Sequence, residues 1–184
     1  YEYNPENQLV RVVKPNGDAI EFAYDGSGRR ISKTVNGSVV KYEYDGDLLA
    51  AETDANNNLL AAYTYDDKGA PVSVTKNGQT YYFHYNAHGD VVALTDASGN
   101  ITATYEYDEW GNVTSRTGNI DTPFGYAGQY GCVYDKETGL YFLKSRYYDP
   151  ATGRFTSRDR FKGFENRQVS QNSSTYCTLS RPPL

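Results

Sequence analysis

The chain has 184 residues and a formal net charge of −5, with 19 Tyr and 7 Phe but no Met. A negative balance argues against a surface that wraps nucleic acid, and no apolar run approaches the roughly 20 residues that span a bilayer. The length suits one ordinary domain with its own core, but a tyrosine-rich core must supply hydrogen-bond partners for its hydroxyl groups.

The first residue is Tyr1 rather than Met, and no signal peptide precedes the first structural pattern. We therefore expect the chain to be a fragment or a processed piece of a longer protein. A targeting segment for secretion or cell-surface display would then belong to the part that is missing here.

A pair of aromatic residues, separated by one residue, recurs along the first 107 positions. The second members of the pairs are spaced by 21, 20, 21, 20 and 22 residues, and they are Tyr3, Tyr24, Tyr44, Tyr65, Tyr85 and Tyr107. A fixed period of this size predicts a repeat architecture.

One repeat shows the local structure that the pattern predicts. Residues 30–35 are rich in β-branched side chains, and Asn36-Gly37 is the strongest short signal for a two-residue hairpin turn. Residues 40–44 then alternate apolar and charged side chains, which predicts a strand with one buried and one solvated face. Each repeat therefore reads as a β-hairpin that leads into the next hairpin.

Turn residues follow each aromatic pair, as in Asp25-Gly-Ser-Gly28 and Asp108-Glu-Trp-Gly111. An Asp or Asn opens such a turn by bonding to the backbone, and Gly closes it in a left-handed conformation. The strands that carry the aromatic pairs have a clear apolar face, formed for example by Ile101, Ala103, Tyr105 and Tyr107. The strands after the turns carry apolar side chains, among them Ile31, Val72 and Val74, but alternate more weakly and so define their register less clearly.

These elements predict an all-β fold, a coiled antiparallel β-meander of hairpins about 20 residues long. A long meander must twist, and its aromatic face must curl around itself, around neighbouring turns of the sheet or around a guest. Strands at the two ends would expose unpaired backbone, so we expect pairing of edge strands with other chains or with copies of this one.

The C-terminal third changes character. Three denser segments appear, at 122–130, 135–142 and 145–155, and Tyr126 and Tyr148 continue the phase of the aromatic repeat. The plain units resemble the YD repeat, whose core is Tyr-x-Tyr-Asp-x-x-Gly-Arg. The segment Arg146-Tyr-Tyr-Asp-Pro-Ala-Thr-Gly-Arg-Phe155, with Gly139-Leu-Tyr141 before it, is similar to the signature of the Rhs repeat-associated core domain.

The resemblance extends from residue 1 to about residue 161 and divides the chain into three parts. Residues 1–120 resemble a YD-repeat β-spiral, residues 121–161 resemble the Rhs core region, and residues 162–184 form a divergent tail. The residues that carry the core motif are Gly139, Tyr141, Arg146, Tyr147, Tyr148, Asp149, Pro150, Gly153, Arg154 and Phe155.

The resemblance implies a structural role. In bacterial Rhs and Tc-toxin C proteins and in animal teneurins, YD repeats wind into a β-spiral shell. The bacterial shells enclose a toxic or variable C-terminal polypeptide, and the core domain plugs one end. The resemblance therefore implies a secreted or cell-surface protein whose partners are the rest of the shell and the enclosed polypeptide, and it implies no cofactor.

The sequence departs from the family near its end. Family members often cleave themselves at an Asp-Pro-x-Gly-Leu motif, but here Asp159 is followed by Arg160 and the motif is absent. We therefore assign no catalytic residue, and an autoproteolytic core domain is the weaker alternative. A second alternative is a cell-surface module that binds glycans or proteins, for which Trp110, in a turn, is the candidate partner contact.

Other candidate chemistry has a structural explanation. His84 and His88 have the spacing of a helical zinc pair, but one falls in a strand and the other in a turn, so we predict no metal site. Turn chemistry explains the acidic groups at 45–47 and 66–67 without calcium. Cys132 and Cys177 are compatible with one disulfide or with two free thiols.

A basic cluster lies near the end of the chain, at Arg146, Arg154, Arg158 and Arg160. Such a cluster is compatible with an anion- or peptide-binding role. We favour a structural role for Arg146 and Arg154, because a guanidinium group can bond to carboxylates and stack on aromatic rings beside the Tyr-Tyr-Asp-Pro turn.

Overall fold

A computed structural model describes residues 1–157 of the chain. Twelve strands form one antiparallel sheet in chain order, so that each strand pairs with its sequence neighbours and β1 and β12 are the edges. The strands are β1 (Glu2–Tyr3), β2 (Leu9–Val13), β3 (Ala19–Tyr24), β4 (Arg30–Val35), β5 (Ser38–Asp45), β6 (Leu48–Asp54), β7 (Leu59–Tyr65), β8 (Pro71–Lys76), β9 (Gln79–Tyr85), β10 (Val91–Thr95), β11 (Ile101–Tyr107) and β12 (Val113–Gly118).

A second antiparallel sheet of four strands follows the first. Its strands are β13 (Val133–Asp135), β14 (Leu140–Leu143), β15 (Arg146–Asp149) and β16 (Arg154–Phe155), and a single 3-10 turn, Gly128–Tyr130, precedes them. The predicted all-β meander is thereby confirmed. The division of the chain into three parts stays a prediction.

The turns use two different solutions to reverse the chain. At Asp25–Gly28 the carboxylate of Asp25 accepts hydrogen bonds from the backbone N–H groups of Ser27 and Arg29, at 2.9 and 3.0 Å, and Gly28 has a φ of +85°. At Asn36-Gly37 both residues have positive φ, +47° and +85°, which is the geometry that a two-residue hairpin turn requires. The sequence predicts both types correctly.

A β-bulge follows the turn after each aromatic pair. Tyr24 pairs with Arg30 and Ala23 pairs with Ser32, so Arg30 and Ile31 together face one residue of β3. The register shifts in the same way between β1 and β2, β5 and β6, β7 and β8, β9 and β10, and β11 and β12. An extra residue in one strand bends it and increases its twist, so the bulges lie where a curling sheet needs them.

The bulges explain why side-chain alternation is a poor guide to burial in the strands after the turns. Arg30 is buried whereas Ile31 is 40% exposed, because the extra residue reverses which side chain points inward. Val72 occupies the same slot in β8 and is also exposed. Ile101 is exposed at the start of β11, beyond a further register shift between β10 and β11.

From the second aromatic pair onward, the second tyrosine of the pair connects its own repeat to the preceding one. Its hydroxyl group donates to the carbonyl of the first bulge residue one repeat earlier, at 2.7 to 3.1 Å. The pairs are Tyr24 with Leu9, Tyr44 with Arg30, Tyr65 with Leu49, Tyr85 with Pro71 and Tyr107 with Val91. Each repeat thus donates a hydrogen bond to a backbone carbonyl at the bulge of the previous repeat, where the regular hydrogen bonding between strands is interrupted.

Replacing Tyr65 by Phe tests the importance of this bond. The hydroxyl of Tyr65 donates to the Leu49 carbonyl at 2.7 Å in a partly buried position, so its removal should leave that acceptor unsatisfied and lower the free energy of unfolding by about 1–3 kcal/mol. Urea denaturation measures the loss. Tyr82→Phe, on the solvent-exposed face of β9, is the matched control and should change stability by less than about 0.5 kcal/mol; equal losses would contradict the assignment.

Candidate functional site: the inner face of the sheet and the C-terminal module

The inner face of the large sheet is filled by the C-terminal module, which we define as residues 119–157. Adjacent residues of β15 point to opposite walls, as alternation in a strand requires. The ring of Tyr147 lies 5.4 Å from that of Phe22, in β3, whereas the Tyr148 hydroxyl donates to the carbonyl of Trp110 at 3.0 Å. The module therefore contacts both early and late repeats, and the sheet curls around it.

A further bond extends these contacts to the first strand. The hydroxyl of Tyr3 donates to the carbonyl of Thr156 at 3.1 Å. On the other wall, the buried hydroxyl of Tyr141 donates to the carbonyl of Gly111 at 2.7 Å. The guest that the aromatic face needs is thus the chain's own C-terminal part.

A buried ion pair anchors the module to the early repeats. The guanidinium of Arg30 bonds to the carboxylate of Asp135, and both side chains are almost fully buried. Arg30 also donates to the hydroxyl of Tyr147 at 3.0 Å and lies 4.8 Å from the centres of the Tyr42 and Phe142 rings. Its charge is balanced inside the core by one carboxylate and by ring faces.

A lysine extends this ion pair toward the surface. The ammonium of Lys33 lies 3.3 Å from Asp135 and 2.7 Å from Glu137. Burial by itself would lower the pKa of Lys33, but the charges of the two carboxylates outweigh it and raise the pKa above its usual value. The early repeats therefore present two cations to two anions of the module.

Phe124 anchors the module at the middle of the sheet. It is 2% exposed, and its ring meets the edges or faces of three inner rings, those of Tyr63, Tyr65 and Phe83, at 5.2, 6.5 and 5.9 Å with near-perpendicular planes. Perpendicular packing at such distances adds about 0.5–1.5 kcal/mol per pair beyond area burial.

Two turns of the late repeats hold the module through opposite polarities. The carboxylate of Asp90 accepts from the backbone N–H of Ala127 at 2.8 Å, and also from Asn86 and His88. The side-chain amide of Asn112 instead donates to the carbonyl of Pro150 at 3.1 Å. The residue that follows the turn glycine therefore accepts a hydrogen bond from a backbone N–H of the module in one repeat. In the next repeat the equivalent residue donates a hydrogen bond to a backbone carbonyl of the module.

The predicted repeat tyrosines fall into two groups. The first six lie in the large sheet with the positions described above, whereas Tyr126 and Tyr148 belong to the module and pack against the late repeats. The hydroxyl of Tyr126 donates to the carbonyl of Glu109 at 3.1 Å, and its ring lies 6.1 Å from that of Tyr107. These two tyrosines therefore pack on the repeat tyrosines of the large sheet and do not add further strands to that sheet.

The predicted core motif forms most of the small sheet. Tyr141 lies in β14, Arg146, Tyr147, Tyr148 and Asp149 make up β15, Pro150 and Gly153 lie in the next turn, and Arg154 and Phe155 form β16. Gly139 closes the turn before β14 with a φ of +73°. The guanidinium of Arg146 lies 3.7 Å above the Phe155 ring, in the stacking role predicted for it.

Trp110 is half exposed and packs on the module. A Cβ at Gly153 would come within 2.9 Å of the indole, so only a glycine allows this contact. Its role as a contact for an outside partner stays a prediction. Arg158, Arg160 and Cys177 lie outside the described residues.

The remaining candidates have ordinary partners. His84 shares a hydrogen bond of 2.9 Å with Thr95, and His88 one of 2.9 Å with Asp90. Cys132 is buried and has no disulfide partner within residues 1–157, and burial raises its pKa, which disfavours the nucleophilic thiolate. Within residues 1–157, no group of three or more His, Cys, Asp or Glu side chains is placed to hold a metal ion.

Sequence reasoning missed the Arg30–Asp135 pair, although a signal was present. The first bulge residue is apolar in the neighbouring repeats, as at Leu9 and Leu49, and Arg30 breaks that rule. A charged residue in an apolar slot predicts a buried partner. The contact of Asp90 with the module had a similar signal. The turn at 86–90 begins with Asn and ends with Asp, whereas the turn at 108–112 begins with Asp and ends with Asn.

Asp135→Asn tests the buried pair. The substitution leaves the guanidinium of Arg30 without its carboxylate in the core, and we expect a loss of about 3–5 kcal/mol in the free energy of unfolding. Asp121→Asn is the control, because Asp121 pairs with Arg116 and Lys136 at the surface and should cost less than about 1 kcal/mol.

The paired replacement separates charge from packing. Arg30→Met combined with Asp135→Leu removes both charges, so it should recover a large part of the stability that Asp135→Asn loses. Urea denaturation measures all variants. A double variant as unstable as the single one would contradict an unpaired buried charge as the cause.

Comparison with known proteins places these features in context. A family model described as the teneurin YD-shell matches residues 1–179. The chain is 45% identical over 180 residues to the tRNA3(Ser)-specific nuclease WapA of Bacillus spizizenii, and 29% identical over 193 residues to the probable deoxyribonuclease RhsA of Dickeya dadantii. These alignments include 96% and 99% of this chain, but they span only 8% and 13% of the length of the two relatives.

Solved structures share the fold at lower identity. The crystal structure of TcdB2-TccC3-TEV matches 95% of this chain, with a TM-score of 0.72 and 21% identity, and the match occupies 9% of that chain. The Photorhabdus luminescens Tc holotoxin pore structure matches 95% of the chain with a TM-score of 0.70 and 21% identity, again over 9% of its length.

Proposed function

The chain belongs to the teneurin YD-shell family, and we propose that it forms a wall segment and closing module of a shell that encloses or presents a C-terminal effector polypeptide. The observation that carries the proposal is the seating of residues 119–157 on the inner face, where they contact early and late repeats together. A wall that coils around its own module is suited to closing one end of a chamber.

The chain itself has a structural role. Its family is defined by a shell, and the nuclease relatives share with it only 8% to 13% of their length. We infer that any nuclease-type or other toxic activity of the parent protein resides in a polypeptide outside this segment. An effector acting on nucleic acid is the kind that the names of the relatives favour.

The parent protein, we infer, acts outside the cell that makes it, as a secreted or surface-attached bacterial protein. The names of the solved relatives, which include a toxin and its pore, favour this location. Within residues 1–157 no helix has the length and apolar character needed to cross a membrane.

Protease protection in the parent protein tests the proposed enclosure. The full-length protein should shield its C-terminal polypeptide from an added protease, and Asp135→Ala should make that polypeptide digestible, because it removes the buried partner of Arg30. Lys136→Ala, one residue further on and exposed, is the control and should leave protection intact. Enclosure would be contradicted if the C-terminal polypeptide were digested as fast in the unmodified protein as in Asp135→Ala.

We also propose that the segment joins the rest of the shell through its edge strands. All six residues of β12 are exposed, and within the described residues it pairs on one side only, with β11. Such an edge presents unpaired N–H and C=O groups to another strand.

Light scattering of the isolated chain tests this edge. It should show association that grows with concentration, and Ser115→Lys with Thr117→Lys on β12 should reduce that association, since charged side chains disfavour edge pairing. Tyr82→Lys, in the central strand β9, controls for added charge and should leave association unchanged. A strictly monomeric wild-type chain at high concentration would argue against the proposal.

A further inference from the structure

A cleft separates part of the module from the wall, and it borders the contacts that hold the two together at Arg30, Phe124 and Phe142. Its volume is about 460 Å³, and it lies between the turns at 27–29, 47–49 and 68–69 on one side and residues 129–131 on the other. We propose that this cleft binds an extended acidic polypeptide segment and receives one of its aromatic or aliphatic side chains.

The floor of the cleft is apolar and aromatic. Tyr44, Tyr65, Leu49, Phe124 and Phe142 all border it. A concave space of this size with aromatic walls is typical of sites that accept a side chain or a small ligand. The floor therefore favours an apolar anchor.

The charges around the cleft are mostly positive. Lys68 and Lys144 border it, both are exposed, and within residues 1–157 neither forms a salt bridge. Arg29 borders it too, partly balanced by Asp25 at 2.8 Å, and the acidic side chain in the lining is that of Asp47. The positive rim selects acidic residues on either side of the anchor.

Arg30 adds a polar group beneath the rim. It borders the cleft and is almost fully buried, and its Nε has no hydrogen-bond partner among the described residues. A buried N–H without an acceptor costs free energy. A ligand oxygen that reached this N–H from the cleft would supply the acceptor.

Tyr130 stands at the mouth of the cleft and is 68% exposed. It ends the 3-10 turn, which left-handed residues flank on both sides, Ala127 with a φ of +52° and Gly131 with a φ of +79°. Exposed tyrosine is enriched at protein–protein interfaces. Its position favours a ring that closes over the anchor side chain.

A second cleft continues the first and indicates a polypeptide as the occupant. It has a volume of about 550 Å³ and shares Ser27, Gly28 and Lys144 with the first. Its lining combines uncharged polar side chains such as Asn4 with two acidic ones, Glu6 and Asp25, and two basic ones, Lys144 and Arg146. The turns along this groove are two strands apart, roughly 10 Å. An extended chain would place its anchor in the first cleft and its backbone along the second.

The chain's own tail has the wrong charge for this groove. Residues 158–184 contain five basic and two acidic side chains. A different acidic polypeptide is therefore the partner that charge complementarity selects. Peptide binding at the groove and protection of a C-terminal polypeptide have separate measurements, so either proposal can fail without the other.

NMR titration of the isotope-labelled chain tests the groove. The probe is a short acetylated and amidated peptide of Asp and Glu residues around one central Phe. It should shift the amide signals of residues 27–29, 48–49, 68–69 and 129–131. Replacing the Phe of the probe by Ala, or its acidic residues by Lys, should weaken binding at least about tenfold.

Variants of the chain supply the matched comparison. Lys68→Glu should weaken binding of the acidic probe about fivefold or more, and Tyr130→Ala should weaken it similarly while leaving the thermal midpoint unchanged, since the ring is exposed. Lys14→Glu carries the same charge change at a turn on the opposite rim of the sheet and should have little effect. Equal effects of Lys68→Glu and Lys14→Glu, shifts spread over the whole surface, or no binding would each overturn the proposal.

Discussion

The bond between a tyrosine hydroxyl and the backbone of the preceding repeat is the interaction on which this structure depends. A tyrosine-rich interior must find acceptors for many buried hydroxyl groups, and a curling sheet must contain bulges that disturb its own ladder. One bond satisfies both requirements here. The hydroxyl of the second tyrosine of a pair donates to the carbonyl of the first bulge residue one repeat earlier, as Tyr65 does to Leu49. The aromatic period is therefore also a hydrogen-bond period, and it holds neighbouring repeats at a constant offset.

The same geometry creates a face that is incomplete without a guest. The inner rings form a continuous aromatic surface, and residues 119–157 cover it through an apolar anchor at Phe124 and a buried ion pair between Arg30 and Asp135. A buried ion pair is weak evidence for stability but costly to break on one side. It is suited to fixing where the module sits, and a fixed module is what a structural shell segment needs.

The sequence predicted much of the fold from local signals. Asp25 and Asn36 gave two turn types correctly, because turn chemistry depends on neighbouring backbone alone. Alternation could not assign the inward side at Ile31 and Val72, since a bulge reverses that side and the extra residue leaves no sign in the pattern. The buried pair of Arg30 with Asp135 was missed because the two residues are 105 positions apart, although an arginine in an apolar slot was a usable sign.

What the sequence by itself determined is the repeat: the spacing of the tyrosines, the turns after them and the antiparallel order of the strands all follow from contacts within about 20 residues. The family resemblance of residues 146–155 likewise needs no coordinates. Only the tertiary structure decided what fills the inner face, which wall each side of β15 meets, and where the groove beside Tyr130 opens. Those outcomes depend on how far the sheet curls, and that curl is the sum of many small bulges and twists that no single repeat encodes.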